Sequence, residues 1–82
     1  MYSLEFTKSS KNFLAKVPSK DREIILNKLY EIRENPFRFL KKLQGSKLWR
    51  LRIMKYRAVL DVVISGNKIL VLRIGYRKNV YD

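Results

Sequence analysis

The 82-residue chain reads as one α+β domain, residues 1-82, in the order β-α-α-β-β-β: an antiparallel sheet with a helical hairpin packed on one face. Three observations predict that class. Period-two alternation of apolar and polar residues occurs at the N-terminus and again beyond residue 47. Between these regions lie two stretches with apolar residues at helical spacing, divided at Pro18. Short turn signals then join the last three alternating runs, and strands joined by short turns are antiparallel.

In "YSLEF", Tyr2, Leu4 and Phe6 alternate with Ser3 and Glu5, which predicts a first strand with one buried face. Thr7 offers an N-cap, and a helix follows over about Lys8–Lys16, ended by Pro18. Ser19 is the expected cap of a second helix, with Asp21 and Glu23 in the first turn, where carboxylates suit the helix dipole. Ile25, Leu29 and Ile32 form its apolar stripe, and Glu34-Asn35-Pro36 closes it, since a residue before proline resists the α region. The segment "FRFLKKLQGSK" reads as an irregular link turning at Gly45. Strands are then expected over about Leu48–Ile53, Tyr56–Ile64 and Ile69–Ile74, joined by Met54-Lys55 and by Ser65-Gly66-Asn67-Lys68.

With no cysteine and no histidine, the chain cannot form a disulfide, a thiolate or imidazole metal site, or a Ser-His or Cys-His nucleophile. No metal or cofactor is expected. The N-terminus lacks the basic-then-apolar pattern of a signal peptide, and no apolar run approaches the roughly 18 residues that span a bilayer. A cytoplasmic protein without membrane association is expected.

Net charge is +12, and it is uneven. Residues 1–40 hold eight Lys/Arg against five Asp/Glu, whereas residues 41–82 hold eleven against two. A field of this kind attracts phosphate backbones or an acidic protein. Alternation sharpens the point. Trp49, Leu51 and Ile53 share a face, and through a two-residue turn Tyr56, Ala58, Leu60, Val62 and Ile64 continue it as the core wall. The opposite face gathers Arg50, Arg52 and Arg57 with Val59, Asp61 and Val63. Like charges on neighbouring strands are costly without an anion, so a ligand-binding face is favoured over a merely solvated one. Simple parity places Arg77 on the core face unless Gly75 allows a bulge that turns it over. Asp61 is expected to serve as a structural partner of an arginine, and its carboxylate is ill suited to act as a base among cations.

These pieces resemble a known family. "NP" at Asn35-Pro36, "KLQGSKLWRLRI" from Lys42, "YRAVLDV" from Tyr56 and "LRIGYRKNVY" from Leu72 are similar in order and separation to the RelE toxins of toxin–antitoxin pairs, most of all to their short archaeal members. The resemblance implies a microbial-RNase-like fold and a metal-independent endoribonuclease. Such an enzyme enters the ribosomal A site and cuts mRNA there, by attack of the ribose 2′-hydroxyl on the adjacent phosphate. It also implies an acidic RelB-like antitoxin in a heteromeric complex. Carried over residue by residue, it assigns catalytic roles to Arg50 and Arg52, Arg57, Arg77 and Tyr81, with Lys47, Lys55 and Lys78 as further RNA contacts. Many relatives carry lysines where this chain has Arg50 and Arg52, and arginine effectively never gives up its proton. Two other readings carry the same charge: a non-catalytic RNA- or ribosome-binding protein, and a ParE-like inhibitor of DNA gyrase.

Overall fold

The structure, a computed structural model, describes residues 1–78. It contains β1 (Ser3–Phe6), α1 (Lys8–Lys16), α2 (Ser19–Glu31), a 3-10 turn (Pro36–Arg38), β2 (Lys41–Lys42), β3 (Trp49–Ile53), β4 (Tyr56–Val63) and β5 (Lys68–Tyr76). The strands form one sheet in the order β1-β5-β4-β3-β2.

The expected α+β class and helical hairpin are present, but the sheet is mixed rather than antiparallel. From β2 to β5 every pairing is antiparallel, whereas β1 runs parallel to β5. The short-turn rule governs only strands joined by short turns; β1 reaches the sheet through the two helices, and such a crossover permits parallel pairing. Residues expected to form an irregular link instead contribute the 3-10 turn and β2, which pairs Lys41 with Arg50 and Lys42 with Trp49. The segment still turns at Gly45, where φ is 72°. Ile64 leaves the strand for a four-residue turn and is exposed, so the core wall ends one residue short of expectation, at a half-buried Val62.

Thr7 caps α1 as expected. Its Oγ1 accepts from the backbone N–H of Ser10 at 3.2 Å, and the buried Ser10 hydroxyl donates back to the Thr7 carbonyl at 2.9 Å. Ser19 does not cap α2. Pro18 occupies the cap position with no side-chain bond, and Ser19 is the first helical residue. The hairpin is fastened from the other side by Arg22, whose Nε donates to the Leu14 carbonyl at 2.7 Å and whose Nη2 donates to those of Ala15 and Val17. These are carbonyls that the end of α1 leaves unsatisfied, and a cation is favoured there.

The core lies between the helices and one sheet face. Ile25 and Leu29 of α2 meet Leu51, Ile53, Tyr56, Ala58, Leu60, Ile69, Val71 and Ile74 from the sheet. Complete burial of each large aliphatic side chain contributes about 1.5–3 kcal/mol. A smaller cluster of Leu43 and Val59, with Leu48 and Leu72 against it, covers part of the opposite face.

The β4–β5 ladder is not uniform. Val59 pairs with Arg73 and Leu60 with Val71, so Leu72 is one residue extra. Thr7 fixes this bulge: its N–H donates to the Val71 carbonyl at 3.2 Å and its hydroxyl to that of Leu72 at 2.6 Å. Beyond the bulge every face inverts. Ile74 and Tyr76 pair with the core-facing Ala58 and Tyr56, while Arg73 and Gly75 pair with Val59 and Arg57. The sequence leaves open a bulge at Gly75; the bulge exists, three residues earlier.

Tyr56 is fully buried and ties β4 to α2, its hydroxyl donating to the Asp21 carboxylate at 2.5 Å. Its ring meets Phe13 of α1 at 5.8 Å edge-on and Tyr76 at 5.3 Å. The hydrogen bond to Asp21, reinforced by burial and by the Asp21 charge, pushes the phenol up from 10.0 to about 12.

Two measurements check this account. Thr7→Val loses both the cap and the bond to the bulge and should destabilise the fold by about 2 kcal/mol in urea unfolding. The native state holds the Tyr56 proton more tightly than the unfolded chain does. Its contribution is therefore complete below pH ~10 and lost as pH rises toward about 12. The stability difference between wild type and Tyr56→Phe should shrink over that window.

Candidate active site

The end of the sheet where the β3–β4 hairpin meets the exit of β5 encloses a concavity of about 790 Å³ lined by Lys55, Arg57, Tyr76, Arg77 and Lys78. Each residue arrives by a local rule. Lys55 is the second residue of the tight turn between Ile53 and Tyr56, which are paired across it. Arg57 stands opposite Arg52 on one side and Gly75 on the other, so β5 presents no side chain beside it. Its guanidinium group is largely enclosed, the residue being 9% exposed. Arg77 is pinned to the hairpin: its N–H donates to the Lys55 carbonyl at 2.9 Å and Nη1 to the Met54 carbonyl at 3.3 Å.

Among the described residues, four of the five lining side chains are cations and none is a carboxylate. Asp61, on the Arg57 face, lies roughly 13 Å further along β4, opposite Leu70. Asp21 is occupied by Tyr56 on the core side. The hollow is suited to an anion with several oxygens, which forked guanidinium donors and ammonium groups meet from different directions. Among the described residues no group of His, Cys, Asp and Glu is placed to hold a metal ion.

The sequence-assigned residues divide. Arg57, Arg77, Lys55 and Lys78 are brought together. Arg52 is the ladder partner of Arg57, but it and Arg50 line a second concavity, about 390 Å³, with Lys28, Arg38, Phe39, Lys41 and Leu51. The expectation of one cluster is corrected to two adjoining basic surfaces, because β2 pairs with only two residues of β3 and leaves the rest of that edge facing α2. Arg50, Arg52, Arg57 and Arg73 are each engaged by another group of the fold. Lys47 is exposed in the turn before β3, at the far end of a strand roughly 16 Å long, and does not join the hollow. Tyr81 lies outside the described residues. Tyr76, which lines the hollow and meets Phe13 at 5.6 Å, escaped the sequence reading; its place between Gly75 and Arg77 was the available signal.

A model of the ParE toxin of type II toxin–antitoxin systems (parDE) matches residues 4–81. Among solved structures, the toxin–antitoxin complex RelBE2 of Mycobacterium tuberculosis is similar in fold, with a TM-score of 0.86 at 20% identity over 93% of this chain and 98% of that one. The isolated RelE toxin of E. coli matches with a TM-score of 0.81 at 28% identity, over 93% of this chain and 84% of that one. The RelB–RelE antitoxin–toxin complex of Methanococcus jannaschii gives 0.72 at 28% identity, covering 94% of each chain. No curated protein sequence matches.

Met54, whose carbonyl accepts from Arg77, forms the turn beside the hollow at a cost, since it holds φ at 54° with a bulky side chain that is 45% exposed. Met54→Gly should raise stability by about 1 kcal/mol by relieving that conformation. Met54→Ala, equally strained, should not; denaturant midpoints of the two variants check this.

Proposed function

This chain belongs to the ParE toxin family of type II toxin–antitoxin systems and is a toxin of the RelE kind, and on that premise we propose that it is a ribosome-dependent endoribonuclease cutting mRNA in the A site. The observation that carries the reading is the hollow at the β3–β4 hairpin, lined among the described residues by four cations and no carboxylate.

Cleavage requires a bond from the 2′-oxygen to phosphorus to form as the bond to the leaving 5′-oxygen breaks. The 2′-hydroxyl gives up its proton and the 5′-oxygen gains one, leaving a cyclic phosphate. Negative charge accumulates on the phosphoryl oxygens in between. Arg57, rigid and nearly enclosed, is the donor for that charge, and Arg77, held by two hairpin carbonyls, supports it or the leaving oxygen. Lys55 and Lys78 contact the flanking backbone from the rim. Arg50 and Arg52 hold the strand along the adjoining edge, and Tyr81 orients or stacks on the base or relays a proton. Lys47 contacts a more distant part of the RNA. Fixed cations also lower the pKa of a bound 2′-hydroxyl. This set is rich in charge stabilisation and poor in proton transfer, so free RNA is cut slowly and the ribosome supplies the alignment. A lining of cations repels a divalent ion, so cleavage proceeds without one.

An acidic RelB-like antitoxin is the proposed partner. Solved RelE relatives occur in complexes with RelB, and the charge here favours a polyanionic peptide. Among the described residues no helix is long and apolar enough to cross a membrane, and the proposed site of action is the cytoplasm. Gyrase inhibition is the weaker reading, since the solved structures named here are RelE toxins.

Primer extension on translated mRNA tests the proposal. Wild type should cut at A-site codons. Arg57→Ala and Arg77→Ala should each lose roughly 10²-fold or more in rate with the fold intact. Undiminished cleavage in both variants would overturn the site, and gyrase inhibition without cleavage would overturn the function.

A further inference from the structure

The second basic surface, like the first, interleaves aromatic rings with cations. Phe37, from the 3-10 turn, is 42% exposed and sets its ring 5.2 Å from that of Trp49. Lys42 lies over the Trp49 ring at 5.0 Å, while Lys28 and Arg38 lie over the Phe39 ring at 4.9 and 5.9 Å. Phe39 and Trp49 also pack against the core, which accounts for their burial; Phe37 is not part of that packing. Among the described residues the adjoining concavity has five cations and no carboxylate in its lining, and Glu31, outside it, pairs with the lining Lys28 at 3.5 Å.

Stacking rings set among phosphate-binding charges are the two components of a single-strand nucleic-acid site. Charge alone would serve an acidic peptide equally well; an exposed ring beside the cations favours a base. Position agrees with this. β2 lies roughly 10 Å from β4 across the sheet, and Arg50 and Arg52 of β3 stand between them. The two concavities adjoin through the paired Arg52 and Arg57, Phe37 directly precedes the Arg38 that lines the second, and no carboxylate is among the described residues of either lining.

We infer that the surface formed by the 3-10 turn and β2 is an accessory platform for single-stranded RNA: Phe37 stacks on a base that flanks the cleavage site, and Arg38, Lys41 and Lys42 bind the phosphates beside it. This inference rests on the reading of the chain as an RNA-cutting toxin, but it concerns binding and is tested apart from cleavage.

The test uses the full chain with a labelled oligoribonucleotide of about 12 residues, 2′-O-methylated so that no nucleophile is present, and fluorescence anisotropy across a salt series. Arg38→Glu/Lys41→Glu, at two exposed positions, should weaken binding at least tenfold and flatten the salt dependence by about one unit of slope or more. Phe37→Ala should weaken binding at least fivefold with little change in that slope. Neither variant touches the proposed catalytic residues, so saturating ribosomes carrying mRNA should still be cut at the wild-type maximal rate, with a higher half-saturating concentration. A parallel titration against ribosomes without mRNA separates the sources. A deficit there as well assigns the platform to ribosomal RNA, whereas a deficit confined to the oligonucleotide assigns it to the messenger. Unchanged oligonucleotide and ribosome affinity in both variants overturns the inference, and so does loss confined to an acidic antitoxin peptide. Failure of wild type to cut any mRNA, with these binding losses still present, would instead overturn the proposed function and leave the platform standing.

Discussion

A single extra residue in β5 sets the arrangement of both faces of this sheet. Side chains alternate along a strand, so an insertion of one exchanges the inner and outer sets for everything downstream. Without the bulge at Leu72, Arg77 would follow the inward parity of Ile69 and Val71, and Ile74 would be turned to the outer face. With it, apolar residues remain inside along the whole of β5 while Arg73 and Gly75 fall on the Arg57 face. The same hydroxyl that holds the bulge carbonyl also caps α1. Sheet register and helix placement therefore share one threonine, which couples the packing of the core to the geometry of the hollow.

Much of this architecture was legible in the residues. Alternation located the β3–β4–β5 meander, Thr7 and Pro18 bounded α1, and parity separated the Arg50, Arg52 and Arg57 face from the core wall. The bulge was not, because "ILVLRIGY" is apolar on both sides of Leu72 and the extra residue leaves no break in pattern; it depends on Thr7, which is distant in sequence. Nor was β2, since two lysines carry no alternation, and their strand character comes from pairing with Trp49 and Arg50. The single arginine cluster divided for a related reason. Period-two counting assigns a face but does not say where the neighbouring strand stops, and a long side chain on an uncovered edge can turn toward a helix. Lys47 shows the limit of proximity in sequence, because an extended strand carries its two ends far apart.

The distribution of acids complements that of the cations. Asp21 is held by a phenol, Glu31 by Lys28, and Glu5 by Lys68 at 3.2 Å on the β1–β5 edge. None of the three lines either basic concavity. The described carboxylates thus leave the two concavities as an uninterrupted positive region. On the proposed reading, the messenger and the antitoxin are both polyanions drawn by this one field, and occupancy by either disfavours the other through charge as well as through shape.

The position of β5 has a consequence for how the molecule comes into being. It is the last strand among the described residues, yet it sits inside the sheet, between β1 and β4. The amino-terminal strand waits unpaired until residue 71 exists, and the guanidinium pinned by the hairpin comes later still. A nascent chain interrupted before that point has helices and the β3–β4 hairpin, but β1 has no partner strand. Synthesis itself therefore acts as a safeguard: on the proposed reading, the polypeptide stays inert until β5 has been made and has entered the sheet.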